Sequence, residues 1–184
     1  MADFRYEGCA IVSADGMLAD SDGNQPPELI VEADKQFFDE KLEASDLIVH
    51  GRHSHEGQRN SPRRKRLYAT HQVAAIEPHP TNPNALRWNP TGATIEEAAA
   101  RLGVRGGVVA VIGGTGVFDL FLGRYDVFWL TVANRARLPG GVPVFSGIPP
   151  RTAEEILRAA GLHPGDTRVL DAEQDVDLIP WLRA

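Results

Sequence analysis

Residues 108–118 read Val-Val-Ala-Val-Ile-Gly-Gly-Thr-Gly-Val-Phe. The unbroken apolar run 108–112 has no alternation, so it is a strand buried on both faces. Such a strand needs helices above and below it, which places the chain among α/β folds with a parallel sheet. Glycines at 113, 114 and 116 end the strand, and a short helix is expected over 117–123. Glycine lets backbone approach a ligand closely, and a helix start presents N–H groups and positive dipole, a setting that suits phosphate. The same string also serves as a plain tight turn between strand and helix. It is neither a P-loop, for no Gly-Lys-Ser/Thr follows, nor the complete dinucleotide fingerprint.

The rest of the chain repeats the alternation. Strands are expected at 6–13, ending at Asp15-Gly16, and at 46–51 and 67–70. A short one is expected at 86–88, within the proline-rich stretch 77–90, and others at 126–131 and 142–145. A polar loop with two prolines, 20–27, leads into a helix expected over 28–42. Thr94-Ile-Glu-Glu97 and Thr152-Ala-Glu-Glu155 are capping boxes, each opening a helix that Gly103 or Gly161 closes. Segments 167–171 and 176–182 predict a terminal hairpin and thus an antiparallel edge. The 184 residues form a single domain, a mostly parallel central sheet with helices on both faces.

Composition narrows the classes. Nineteen Lys and Arg against 25 Asp and Glu give a formal charge of −6, which exerts no long-range pull on nucleic acid or anionic membrane. The single Cys9 excludes an internal disulfide framework. No signal-like or membrane-spanning apolar run is visible, so a cytoplasmic setting is expected.

Three groups could carry chemistry. The strand end His50-Gly51-Arg52-His53-Ser54 delivers Arg and Ser where open α/β sheets bind ligands. Its histidines, with His55, could instead be read as a metal cluster, but adjacent strand positions face opposite ways, and no metal is expected. On the first helix, Ile30, Asp34, Phe37 and Phe38 share one stripe, so Asp34 sits in an apolar face. A carboxylate there costs free energy unless paired or used. The run Arg63-Arg64-Lys65-Arg66 reads as a solvated basic surface.

Taken in order, the pieces Ser13-Ala-Asp-Gly16, Asp34-Lys-Gln-Phe-Phe38, Ile48-Val-His-Gly-Arg-His-Ser54, Arg64-Lys-Arg-Leu-Tyr68, Val111-Ile-Gly-Gly-Thr-Gly-Val-Phe118 and Asp126-Val-Phe-Trp-Leu-Thr131 resemble the dihydrofolate reductase superfamily. That superfamily includes the reductase domain of riboflavin biosynthesis, and the resemblance covers about residues 4–147. It implies hydride transfer from NADPH to a C=N bond of a small heterocycle. Gly51, Arg52, His53 and Ser54 would hold cofactor phosphates together with Gly113, Gly114, Thr115, Gly116, Val117 and Phe118, and the Gly-Gly bond would be cis. Thr70 and His71 would help at the 2′-phosphate. Asp34 would bind the substrate's amidine edge and assist protonation, with Phe38 packing on its ring and Thr131 supporting the carboxylate. Arg64 would grip an acidic tail.

The loop 20–27 lacks the Pro-Trp pair of dihydrofolate reductases, while segments 13–19 and 138–145 lean to the riboflavin type. The helix expected over 152–160 has no counterpart in the resemblance. The substrate stays open between a dihydrofolate-like pterin and 5-amino-6-(5-phosphoribosylamino)uracil. The alternative to an enzyme is a catalytically silent nucleotide-binding module. The riboflavin-type relatives lean to a homodimer.

Overall fold

The structure, a computed structural model, describes residues 3–54 and 56–184. The main sheet is built from β1 (Asp3–Ser13), β3 (Leu47–His50), β4 (Arg66–Ala69), β5 (Ile76–Pro78), β6 (Ala85–Trp88), β7 (Gly106–Val111), β8 (Val127–Ala133), β10 (Leu162–Pro164), β11 (Arg168–Asp171) and β12 (Val176–Arg183). A separate ribbon pairs β2 (Met17–Ala19) with β9 (Val142–Pro143). The helices are α1 (Glu32–Glu43), α2 (Ile95–Arg101), α3 (Thr115–Leu120) and α4 (Ala153–Ala159).

Strand order is β10-β12-β8-β1-β7-β3-β4-β6-β5, with β11 beside β12. The centre from β8 to β6 is parallel, and both edges are antiparallel. The expected C-terminal hairpin is there, and its second strand runs antiparallel against β8. The second antiparallel edge, β5, and the strands β2 and β10 were not expected. Each is only three residues long, too short to show a period.

Alternating residues sort the two faces. Val109 and Val111 of β7, and Leu47 and Val49 of β3, join the core under α2, α3 and α4. Their neighbours Ala110 and Ile48 pack with Leu42 of α1 on the other face. Burial on both faces is why Leu47–His50 is buried throughout. Helix α4 belongs to the main core through Ala153, Ile156 and Leu157.

Helix α1 begins at Glu32, not at 28. Pro26 and Pro27 set a 3-10 turn over Pro27–Leu29, and Ile30 and Val31 then leave helical geometry. Ile30 is therefore exposed and off the helical stripe, while Val31 is buried as the helix N-cap. Phe37 meets Trp129 edge-on at 5.4 Å, and Lys41 Nζ sits 4.0 Å over the same indole. Trp129 Nε1 in turn donates to Glu7 Oε2 at 2.8 Å. These contacts fix the roll of α1 on the sheet and set where Asp34 lies, one turn before Phe37.

Strand β4 starts one residue earlier than expected and opens on Arg66. That residue is only 2% exposed, so the basic run 63–66 is not a uniformly solvated surface. The expected strand at 142–145 shrinks to two residues in the small ribbon, because Val144 and Phe145 turn into the main core.

Candidate functional site

The chain leaves β1 through α1 toward β3, and leaves β7 through α3 toward β8 on the opposite side of β1. Neighbouring strands whose connections depart in opposite directions open a crevice at their carboxyl ends. A cleft of about 1120 Å³ lies there, twice the volume of a groove of about 560 Å³ near residues 42–46 and 103–106. Its floor is Cys9, Ala10 and Ile11 of β1, with Ile112 beyond β7. One wall carries Asp34 and Phe38, and the other carries Ser54, Gly114, Thr115 and Phe118.

At the glycine wall two strand ends are stitched together. Gly51 N–H donates to the Gly113 carbonyl at 2.7 Å, and Ile112 N–H to the Val49 carbonyl at 3.0 Å. The Gly113–Gly114 peptide is cis, as the resemblance implies, and Gly113 has φ +110°. A Cβ on Gly114 would stand 3.2 Å from Ser54 Oγ. One on Gly113 would meet the Phe118 ring at 3.0 Å and Ser54 Oγ at 3.3 Å. Two side-chain-free residues thus keep the gap between the turns open. Thr115 opens α3, two residues before the expected start, and its hydroxyl donates to the Pro143 carbonyl at 2.5 Å. Thr115 thereby ties the small ribbon to this wall.

At the opposite wall, Asp34 faces the α1 side of β8. Burial raises its carboxyl pKa above the ordinary range, and a hydrogen bond from the Thr131 hydroxyl opposes that rise. Thr131 is 1% exposed, so this partner is fixed in the core. Burial, followed by the nearby Asp34 charge, pushes the Cys9 thiol up as well. Phe38 is half-buried against Leu42, Ile48 and Ala110.

The structure therefore brings Asp34, Phe38, His53, Ser54, Gly114, Thr115 and Phe118 to one cleft, with Thr131 directly behind Asp34. It does not bring every candidate there. Thr70 and His71 follow β4 and pair locally: Gln72 N–H donates to Thr70 Oγ1 at 3.1 Å, and His71 Nδ1 lies 3.3 Å from Asn89 Oδ1. Arg52 is exposed in the turn after β3, and Val117 is core. His50 is buried with Nε2 3.2 Å from Arg66, and Nδ1 2.8 Å from the Gly51 carbonyl. His55, the third histidine of the metal reading, lies outside the described residues. Among those described, no group of three metal-ligating side chains converges.

Arg64 departs most from expectation. It does not line the cleft; its guanidinium is held by Asp39 at 3.1 Å, by Glu56 at 3.1 Å and by Glu43. Glu56 also takes Arg66 at 2.6 Å, and both of those side chains are at most 2% exposed. Burial works against the Glu56 charge, but hydrogen bonds from Arg66, Gln58 and Ser61 hold its pKa below the usual carboxylate range. This network escaped the sequence reading. Its single trace is a lone Glu ten residues before a strand that opens on Arg.

No protein-family profile matches the chain, and no curated protein matches it in sequence. Solved structures do match in shape. A riboflavin biosynthesis protein of Shewanella sp. PV-4 superposes with a TM-score of 0.65 at 15% identity, over 98% of this chain and 99% of that one. A dihydrofolate reductase of Enterococcus faecalis, complexed with NADP(H) and RAB-propyl, gives 0.65 at 18% identity, over 97% and 96%. The diaminohydroxyphosphoribosylaminopyrimidine deaminase/5-amino-6-(5-phosphoribosylamino)uracil reductase of Thermotoga maritima gives 0.69 at 14% identity. This chain spans 57% of that longer protein. The chain has the dihydrofolate reductase-like fold. No helix among the described residues is long and apolar enough to cross a membrane.

Proposed function

We propose that the protein is an NADPH-dependent reductase that delivers hydride to a C=N bond of a small heterocycle. The observation that carries this reading is one cleft with a side-chain-free glycine turn on one wall and the half-buried Asp34 carboxyl on the other. The residues present fit such a cofactor: a Cβ at Gly113 or Gly114 would fill the gap beside Ser54. Gly51, Ser54 and residues 113–116 would hold its diphosphate, with Arg52 adding positive charge and His53 a ring nitrogen for hydrogen bonding at the exposed end. The chemistry such a cofactor supplies when bound is a hydride.

The protein's own residues do the rest. Asp34 is aimed at a ligand edge that donates hydrogen bonds, and Thr131 holds it in place. Burial raises its pKa, and a carboxyl group placed there is a candidate to hand a proton to the heterocycle nitrogen. Phe38 offers an aromatic face to a planar ring. The apolar floor excludes water, which strengthens every polar contact made there.

The test is NADPH oxidation followed at 340 nm (the absorbance of the reduced nicotinamide) with dihydropterins and ribosylaminopyrimidines, alongside direct NADPH titration. Turnover of at least one heterocycle supports the reading. Cofactor binding without turnover across the panel means a nucleotide-binding module instead, and absence of NADPH binding removes the reading altogether.

A further inference from the structure

The charges at the substrate end of the cleft restrict what can enter it. The described acidic side chains lining it are Asp22, Glu32, Asp34, Asp39 and Glu56, against the single amine of Lys35. The exposed Arg52 belongs to the glycine end. Arg64, the guanidinium behind Asp39 of α1, is already engaged. One of its nitrogens meets Asp39 and Glu43 while another meets Glu56. Glu56 is shared with Arg66, so two guanidinium groups face three carboxylates and the cluster stays net negative. The Arg64 side chain is 9% exposed, which leaves little of the guanidinium for a ligand to reach.

Resting on the reductase reading above, we propose that the cleft takes an uncharged or cationic heterocycle and rejects one with a carboxylate or phosphate tail, with Asp39, Glu43 and Glu56 as the residues that set this selectivity. An anionic tail would meet like charge at the rim, and wrong-charge juxtaposition is an effective means of discrimination. To be gripped, it would have to displace carboxylates that are part of the chain and need no translational entropy to stay in place.

The experiment is equilibrium titration of the whole protein, with NADP⁺ present, using 6-methyl-7,8-dihydropterin and dihydrofolate. These share the dihydropterin ring, and dihydrofolate adds a p-aminobenzoyl group ending in two carboxylates, so the change in their ratio between variants reads the tail's charge. Wild type should bind the tail-less pterin at least as tightly as dihydrofolate. Asp39→Asn/Glu43→Gln changes two half-exposed side chains and releases the Arg64 nitrogen they share, while the contact of its other nitrogen with buried Glu56 stays. It should shift the ratio about 10-fold toward dihydrofolate, the worth of one charge-assisted hydrogen bond. Adding Arg64→Ala should remove that gain. A wild-type preference for dihydrofolate that Arg64→Ala abolishes would overturn the proposal, as would an unchanged ratio in the double variant. Binding of neither pterin while NADP⁺ still binds overturns it too, but leaves the cofactor half of the reading standing. Loss of NADP⁺ binding is instead a failure of that reading.

Discussion

Gly51 donates its amide proton to the Gly113 carbonyl at 2.7 Å, and this bond joins the ends of two neighbouring parallel strands. Because β3 and β7 are both buried on each face, their ends have little freedom to shift independently. The pocket edge at Gly51 and Gly113 is therefore anchored by the sheet, and Ser54 and Gly114 extend it from the turns that follow.

The first prediction concerns that edge. Gly114 has φ −77°, so a larger residue there suffers crowding and no backbone strain. Gly114→Val would push its first carbon to 3.2 Å from Ser54 Oγ and its branches into the gap. NADPH affinity should fall at least about 10-fold, the loss of one charge-assisted contact. Far-ultraviolet circular dichroism should stay that of wild type. Undiminished affinity in the folded variant would reduce the glycines to a turn.

Arg52 stands in the exposed turn beyond Gly51, and the proposed reductase role assigns it to the cofactor's added phosphate. Arg52→Ala should weaken NADPH about 10- to 150-fold while leaving NADH nearly unaffected, since a charge-assisted hydrogen bond is worth about 1.5–3 kcal/mol. Paired titrations with the two cofactors give the comparison. Equal affinity of wild type for both would exclude Arg52 from 2′-phosphate recognition.

Arg66 and Glu56 form the buried ion pair under the loop that follows β3. Removing Arg66 leaves buried Glu56 with the longer contact to Arg64 in place of two guanidinium partners, which costs up to about 3–5 kcal/mol, the cost of breaking a buried pair. Arg66→Ala should lose that much in urea denaturation at pH 7. Glu56's pKa is lower folded than unfolded, so its stabilisation is present above the unfolded value near ~4.3 and is lost as pH falls through the folded one. The gap between wild type and Arg66→Ala should narrow on acidification. A gap that is constant from pH 7 to pH 3 would show that packing, not charge, makes the difference.

Much of this architecture is legible in residue order. The unbroken run 108–112 announces a doubly covered strand, and both capping boxes start helices where their Thr and Glu form reciprocal bonds. Less legible is anything decided by contacts distant in sequence. Strands of two or three residues carry no period, so β2, β5, β9 and β10 take their identity from partners. Pro26-Pro27 makes a turn that looks like a helix start, and the true start depends on Val31 being buried. Asp34 is readable as a carboxylate on an apolar stripe even though Ile30 drops off it. Arg64 shows the limit: its residue type and position suit anion binding, but Asp39, Glu43 and Glu56 come from 25, 21 and 8 residues away and take the charge first.

Asp34 yields a prediction in which stability and activity move in opposite directions. Its carboxyl is raised in pKa by burial, with Thr131's hydroxyl only partly offsetting that cost. A carboxyl whose folded pKa exceeds its unfolded one favours the folded state at low pH, and that advantage is lost as pH rises through the folded value. At pH 7 the raised pKa of Asp34 therefore weighs against folding. Asp34→Asn keeps the shape and the Thr131 neighbour but carries no charge, so it should melt at a higher temperature than wild type at pH 7. The advantage should shrink as pH falls toward ~4, where the unfolded carboxylate also protonates. In the same variant, turnover of whichever heterocycle wild type reduces should drop about 10²–10⁴-fold, the usual contribution of a positioned acid or base. NADPH affinity should hold, because the glycine wall is untouched. Thermal melts between pH 4 and 8, with steady-state kinetics on the same preparations, separate the alternatives. A variant that is more stable yet fully active would make Asp34 a buried liability with no part in the chemistry. One that is less stable at pH 7 would mean the charge is paired in solution by a partner other than Thr131.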